Sequence, residues 1–242
     1  MIAPRFLLTG GTGKTGRRLA RQLAERGIAA RVASRSGAAP DGQQGIRFDW
    51  ADASTYAGAI DGIDSIYLVA PANAGEVLDA MTPFLEQALA TGIKRYVLLS
   101  ASSLQEGGPM MGAVHAYLRA HVPEWAVLRP TWFMQNFSEL QHLATIRDES
   151  RIYSATGDGR VPFVDAGDIA AVASQALTQE VPLNRDVIIT GPEALSYGAV
   201  AAILSSQTGR AITHERLTPA ALADRFAAAG MPEAYAKMLA AM

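Results

Sequence analysis

The chain has 242 residues, 49% of them hydrophobic, which is enough for one sizeable core or one core with a small appendage. A formal net charge of −2 leaves no basic excess that would point to nucleic acid or an anionic membrane as the main partner. Cysteine is absent, so disulfides, thiolate catalysis and cysteine-held metals are excluded.

The opening "MIAPRFLLTG" is expected to carry no signal peptide and to run into a first strand over 5–9, a short apolar run that suits burial on both faces. "GTGKTGRRLARQLAERG" reads as a glycine loop opening a helix, with Leu19 and Leu23 on its inner side and Gly27 as its stop. Further strands are expected at 29–34, 46–50 and 65–70. A helix then runs through about Ala90 and is ended by Gly92. Next come a strand at 95–101, a helix from roughly 110 to 121 and a strand at 125–130. The turn-rich stretch after that enters a helix near Asp168, where the aspartate suits an N-cap. A last strand is expected at 186–190, followed by a helix, a short strand and another helix.

Strand–helix alternation at this spacing implies an α/β fold, a doubly wound parallel sheet of Rossmann type. Residues 1–130 are expected to form the cofactor-binding core. Residues 131–242 are expected to form a small substrate-binding portion that returns strands and helices to one continuous domain. Trp125 reads as core, Arg129-Pro130 as a brace on the sheet and Gly191-Pro192 as a turn. No apolar run reaches the ~18 residues of a membrane span. A cytoplasmic monomer or homodimer with a small hydrophobic substrate, and neither nucleic acid nor membrane as partner, is therefore expected. The four histidines, at 115, 121, 142 and 214, form no metal-spaced pair.

The stretch "TGGTGKTG" (9–16) ends like a nucleoside-triphosphate loop. That loop needs G-x-x-x-x-G-K-[ST], which would put a glycine at position 8, and the residue there is Leu8. What fits is G-x-x-G-x-x-G: Gly10, Gly13 and Gly16, after a strand and opening a helix, the context of a dinucleotide site. A first glycine permits the tight turn, a second lets the pyrophosphate approach backbone N–H groups, and a third lets helix and sheet pack closely. The helix N-terminus adds partial positive charge. Sites for NAD place a carboxylate after the second strand for the ribose 2′-hydroxyl. Here "VASRSG" offers Arg35 and no carboxylate. A guanidinium binds a 2′-phosphate bidentately and stacks on adenine, and Lys14 can add a second cation, so NADP(H) is the expected cofactor. Asp49, read as ending the third strand, can accept from the adenine amino group.

The blocks "TGGTGKTG", "FDWAD", "VLRPTWFMQNFSEL", "VPFVDAGDIA" and "ITGPEALSYGAVAAIL" resemble the NmrA-like branch of the atypical short-chain dehydrogenase/reductases, in the family's order and over nearly the whole chain. "LRPTWFMQNF" especially resembles the festuclavine/agroclavine dehydrogenase subgroup, which reduces an iminium with NADPH. The resemblance implies that Gly10, Thr12, Gly13, Lys14, Thr15 and Gly16 cradle the phosphates and that Arg35 binds the 2′-phosphate. Asp49 and Trp50 would sit at adenine, and Val69, Ala70 and Pro71 would flank the middle of the cofactor. Ser100, Ala101 and Ser102 would approach the nicotinamide ribose. Thr131, Trp132 and Phe133 would lie near the nicotinamide, with Asn136 and Phe137 bordering the pocket. Relatives usually continue beyond "MPEAYAKMLAAM", a departure that bears on the lid of the substrate pocket.

Ordinary members of the superfamily use Tyr-x-x-x-Lys on one helix face. No such pair occurs here. His115, followed four residues on by Arg119, is the nearest equivalent and can orient the ribose or relay a proton. Tyr117 is the second candidate acid, with core packing as its alternative. Carbonyl reduction leaves an alkoxide and benefits from a proton donor, whereas iminium or quinone reduction needs less help. Trp132, Phe133, Met134 and Phe137 can line an apolar slot, with Met110 and Met111 as an adaptable wall. The expected activity is NADPH-dependent reduction of a hydrophobic electrophile. The alternatives are a non-catalytic NADP(H)-sensing regulator and, less well supported because the tyrosine base is missing, a sugar-nucleotide epimerase.

Overall fold

A computed structural model describes residues 5–40, 42–71, 76–139 and 141–241. In chain order its elements begin with β1 (Phe6–Leu8), α1 (Lys14–Glu25), β2 (Ala30–Ser34), β3 (Gln44–Arg47) and α2 (Tyr56–Ile60). They continue with β4 (Ser65–Leu68), α3 (Val77–Ala90), β5 (Arg95–Leu99), α4 (Met111–His121) and β6 (Glu124–Pro130). Next come α5 (Leu143–Glu149), β7 (Arg151–Ser154), β8 (Arg160–Val161), α6 (Ala166–Thr178) and β9 (Arg185–Ile189). The chain closes with β10 (Leu195–Ser196), α7 (Tyr197–Thr208), β11 (Thr213–Arg216), α8 (Pro219–Ala228) and α9 (Glu233–Ala240).

The chain divides into two compact units. The first comprises residues 1–130 and 165–189, so α6 and β9 belong to it rather than to the portion that begins at 131. Its seven strands pair in parallel in the order β3-β2-β1-β4-β5-β6-β9. The central strands read as apolar runs because both faces are covered: Leu7, Leu8, Ile66, Tyr67, Leu68, Val97 and Leu98 are fully buried. Strand order reverses between β1 and β4, and in open α/β sheets ligands bind outside the carboxyl ends of the strands at that switch point.

Several boundaries differ from those read in the sequence. The third strand ends at Arg47, so Asp49 and Trp50 follow it instead of closing it. The first, fourth and fifth strands are shorter at their ends than expected, because Thr9, Val69 and Ser100 already bond outside the regular ladder. Trp125 is half-buried against the core rather than within it. The cap of α6 is Asp165, whose carboxylate accepts from the Gly167 amide at 2.6 Å, while Asp168 lies in the first turn. Both are aspartates beside small residues, and only Asp165 has the extended backbone that an N-cap needs. Asp165→Ala is expected to cost about 1 kcal/mol, lowering Tm by roughly 2–4 °C, whereas Asp168→Ala costs only a few tenths of a kcal/mol through the helix dipole. Thermal denaturation of the two variants checks this.

In the second unit β7 and β11 pair in parallel and β8 and β10 antiparallel. Its core is aromatic: Phe137, Phe163 and Tyr197 meet edge to face, and His142 stacks on Phe137. Among the described residues no helix is long and apolar enough to cross a membrane.

Candidate active site

The glycine loop is pinned from below. Thr9 Oγ1 donates to the Tyr67 carbonyl at 3.0 Å and accepts from the Val69 amide at 2.8 Å, tying the end of β1 to the end of β4. Tyr67, fully buried, donates its hydroxyl to Thr15 Oγ1 at 2.9 Å, which fixes the first turn of α1 to the same strand; burial pushes this phenol's pKa up. Gly10 turns at φ +60, and a Cβ there would stand 2.9 Å from the Val69 side chain. Gly13, extended and exposed, is the N-cap of α1; it supplies no side-chain acceptor, and no acidic residue occupies the first turn. First-turn amides have no partner within a helix, so an anion complements them. Thr12 is exposed and Lys14 half-exposed beside Gly13, while Thr15 turns its hydroxyl inward. Val69, Ala70 and Pro71 follow β4 at the same strand ends. The residues present therefore fit a dinucleotide pyrophosphate.

One strand over, the turn after β2 is shaped by its serines. Ser34 Oγ donates to the Ala38 carbonyl at 2.8 Å, and Ser36 Oγ accepts from the Ala38 amide at 3.3 Å. Arg35 between them is exposed, with neither a hydrogen bond nor an ion pair among the described residues. Asp49 Oδ1 accepts from the Ala51 amide at 3.0 Å in a local turn, and Trp50 packs edge-on to Phe48 and Phe84.

Past β5, the Ser100 amide donates to the Leu128 carbonyl at 2.7 Å and the Ser102 amide to the Pro130 carbonyl at 2.9 Å, so Ser100–Ser102 run on beside β6. Arg129, buried, bonds Asp186 at 2.6 Å and the Ser102 carbonyl at 2.9 Å, and its proximity holds the Asp186 carboxyl below the usual carboxylate range. It is the brace that the sequence suggested.

The helix α4 separates the two candidate acids. His115 is buried, its ring 5.5 Å from that of Trp125, and its Nε2 has no hydrogen-bond partner among the described residues. Burial pulls its pKa below the ordinary histidine value, against the opposing pull of Glu106, whose Oε2 lies 3.9 Å from Nε2. The imidazole is therefore neutral at pH 7. Arg119 does not reach inward with it: Nη1 is held by both Glu106 oxygens, at 2.9 and 3.0 Å, on an exposed side chain. Glu106 had no signal in the sequence, because it sits in the irregular loop before α4. Tyr117, two residues from His115, packs against the main core, and burial raises its pKa. Met110 and Met111 also pack on that core, Met110 with φ +55.

In the second unit, Thr131 Oγ1 donates to the Pro162 carbonyl at 2.5 Å, the Val164 amide to Trp132, and the Met134 amide to Val164, so 131–134 lies along 162–164. Phe133 bridges Val164 in that pairing. Met134 is exposed. Asn136 is buried, donating through its amide to the Phe133 carbonyl and accepting from the His142 amide. Phe137 belongs to the aromatic core. Leu140, the last residue of the "VLRPTWFMQNFSEL" block, lies outside the described residues.

Residues 10–180 match the family described as NAD(P)H-binding. The chain belongs to that family, on its NmrA-like, atypical short-chain dehydrogenase/reductase branch. It is 42% identical over 235 residues to the uncharacterised oxidoreductase YesF of Bacillus subtilis, covering 97% of this chain and 82% of the relative. It is 41% identical over 249 residues to agroclavine dehydrogenase of Claviceps fusiformis, covering 98% and 85%. The fold is shared with an NADPH-dependent quinone oxidoreductase of Escherichia coli solved with NADPH, at TM-score 0.78, 23% identity and coverage of 97% and 86%. The chain is accordingly an NAD(P)H-dependent oxidoreductase, and the matched span begins at Gly10, in the glycine loop described above.

Proposed function

We propose that this oxidoreductase uses NADPH to reduce a hydrophobic electrophile, an iminium, quinone or conjugated compound. The observation that carries the reading is the state of α4: Tyr117 packs half-buried against the core with its pKa raised by burial, and His115 is buried with its pKa lowered, so this helix offers no activated proton donor. Acceptors already poised for hydride need orientation and an apolar surround more than acid catalysis. The bound dinucleotide supplies the hydride. The amides at the start of α1 would hold its pyrophosphate and Arg35 its 2′-phosphate, whereas His115 Nε2 is enclosed within the protein and does not reach the ribose. The quinone for which the Escherichia coli oxidoreductase is named is an acceptor of the proposed kind.

An NADPH-oxidation screen with quinones and cyclic iminium compounds tests this. Turnover on one of these classes is expected; tight NADP(H) binding with no turnover on any acceptor would instead establish the sensor reading, which the missing Tyr-x-x-x-Lys pair favours. His115→Ala is expected to lower kcat roughly tenfold, short of the ~10²–10⁴ of a true acid–base catalyst, while Tyr117→Phe leaves kcat nearly unchanged. The reverse ranking in steady-state kinetics would exchange the two roles.

A further inference from the structure

The second unit contains a pocket of about 170 Å³. Four aromatic side chains line it, Trp132, Tyr153, Tyr197 and Phe226, and its polar edge includes Ser154 and Thr156. Local structure explains how it is built. β7 delivers Tyr153 and Ser154, α7 delivers Tyr197, and α8 lays Phe226 across them. The cover is tied down: Tyr153 donates its hydroxyl to Glu149 at 2.6 Å, and Arg225 on α8 bonds Glu149 at 3.1 Å while lying 3.7 Å over the Tyr153 ring.

Size limits the occupant. A cavity of ~150 Å³ holds one benzene, whereas pockets for drug-sized ligands run to roughly 300–1,000 Å³. This pocket therefore encloses one six-membered ring, and a fused polycycle would extend beyond it.

The polar edge limits its chemistry. Ser154 Oγ is buried, 2.8 Å from His214 Nε2 and 2.9 Å from Thr156 Oγ1. A hydroxyl has one proton to give. If His214 Nε2–H donates to Ser154, then Ser154 donates to Thr156, and the Thr156 proton is left to point at a ligand. If His214 accepts, the chain reverses and Thr156 offers a lone pair. The same three groups thus present a donor to a quinone oxygen or an acceptor to a phenol hydroxyl. Those are the oxidised and reduced forms of one ring.

We propose that this pocket is a single-ring subsite for a monocyclic quinone and its hydroquinone, anchored at Thr156 by the chain His214–Ser154–Thr156. It narrows the acceptor class of the proposed function and rests on that reading. Thr156 is a positioning residue here, and no hydride or proton step is assigned to it.

The test uses the full chain with two readouts: steady-state reduction of 2,6-dimethyl-1,4-benzoquinone by NADPH, and calorimetric binding of p-cresol, which cannot be reduced. Without cysteine in the chain, quinone arylation of thiols does not confuse the first. Thr156→Val is expected to raise the quinone KM and the p-cresol Kd about three- to tenfold, leaving kcat and NADPH affinity unchanged. Thr156→Ser is expected to restore both. Ala155→Phe, which fills the pocket from its wall, should abolish p-cresol binding. If the wild type turns over no acceptor yet binds p-cresol in this Thr156-dependent way, the reductase reading fails and the subsite stands. If the wild type reduces the quinone but neither Thr156→Val nor Ala155→Phe shifts KM or Kd, or if p-cresol does not bind, the subsite is wrong and the reductase reading survives.

Discussion

Replacing Arg35 with alanine is expected to weaken NADPH by roughly ten- to a hundredfold while changing NADH by no more than about twofold. The two cofactors differ only at the adenosine ribose, so the ratio of their losses isolates one group. Arg35 stands exposed after β2, between two serines whose hydroxyls are used in shaping the turn, and it has no hydrogen bond or ion pair of its own among the described residues. The free chain thus gives up no existing ion pair when the guanidinium engages a phosphate. A charge-assisted bidentate pair contributes about 1.5–3 kcal/mol, which sets the size of the effect. Arg35→Lys should recover part of the preference, because an ammonium keeps the charge but not the planar fork. The wild-type preference should also shrink with added salt, since the pair is exposed. Fluorescence titration of both cofactors against wild type and variants decides the matter: equal losses for NADPH and NADH would remove Arg35 from the phosphate.

The parts legible in the sequence were those fixed by local patterns. The alternation of apolar runs with helical periodicity foretold the parallel sheet, and Gly10, Gly13 and Gly16 occupy the strand-to-helix turn that their spacing demanded. Gly27 and Gly92, both with positive φ, stop α1 and α3 as expected. What was not legible depends on partners distant in sequence. The bond from Tyr67 to Thr15 spans 52 positions, and nothing in either neighbourhood announces it. Glu106 lies in an irregular loop, yet it decides that Arg119 faces outward while His115 stays inside. The pairing of His214 with Ser154, 60 positions apart, is set by β11 joining β7, a contact without a periodic signature. Asp165 and Asp168 each sit beside a small residue, Ala166 and Gly167, and the feature that decides between them is a backbone angle. His115 and Tyr117 looked comparable in sequence; two positions apart on a helix they point about 200° apart, so one can face a site only if the other does not.

That separation bears on the chemistry more than any single residue does. A tyrosine acid would need to be reachable and to have its pKa lowered by a neighbouring cation. Burial moves Tyr117 in the opposite direction, and the nearest cation on the helix, Arg119, is bound to Glu106. In α4, then, Tyr117 packs half-buried against the core and His115 is buried with its pKa lowered. Under the proposed function, rate acceleration then comes from holding cofactor and acceptor in place, which raises the demand on the glycine loop.

The loop can be tested by two alanine substitutions that differ in what they strike. A Cβ at Gly16 would stand 2.4 Å from the Gly10 carbonyl oxygen and 2.6 Å from the Gly11 Cα, both backbone atoms, so the loop itself must move. The same Gly10 oxygen accepts from the Gly13 amide at 2.9 Å, the bond that closes the turn, and displacing it opens the cradle. Gly16→Ala is therefore expected to cost about 1–3 kcal/mol of stability, at roughly 2–4 °C of Tm for each kcal/mol, and to weaken NADPH a hundredfold or more, at about 2.7 kcal/mol of lost binding. Gly13→Ala should behave differently. Its backbone is ordinary extended chain and its Cβ would meet one atom, the Gly10 oxygen, at 3.1 Å, so that oxygen need give only a few tenths of an ångström and the loss of Tm is smaller than at Gly16. Yet Gly13 is the exposed N-cap of α1, beside the first-turn amides, and a methyl there takes up space that a pyrophosphate would need. NADPH affinity should fall at least tenfold, about 1.4 kcal/mol, with a smaller loss of stability than in Gly16→Ala. Calorimetric titration alongside thermal denaturation separates folding from binding in each variant. A Gly13→Ala protein that binds NADPH as tightly as the wild type would show that the anion does not sit on this helix.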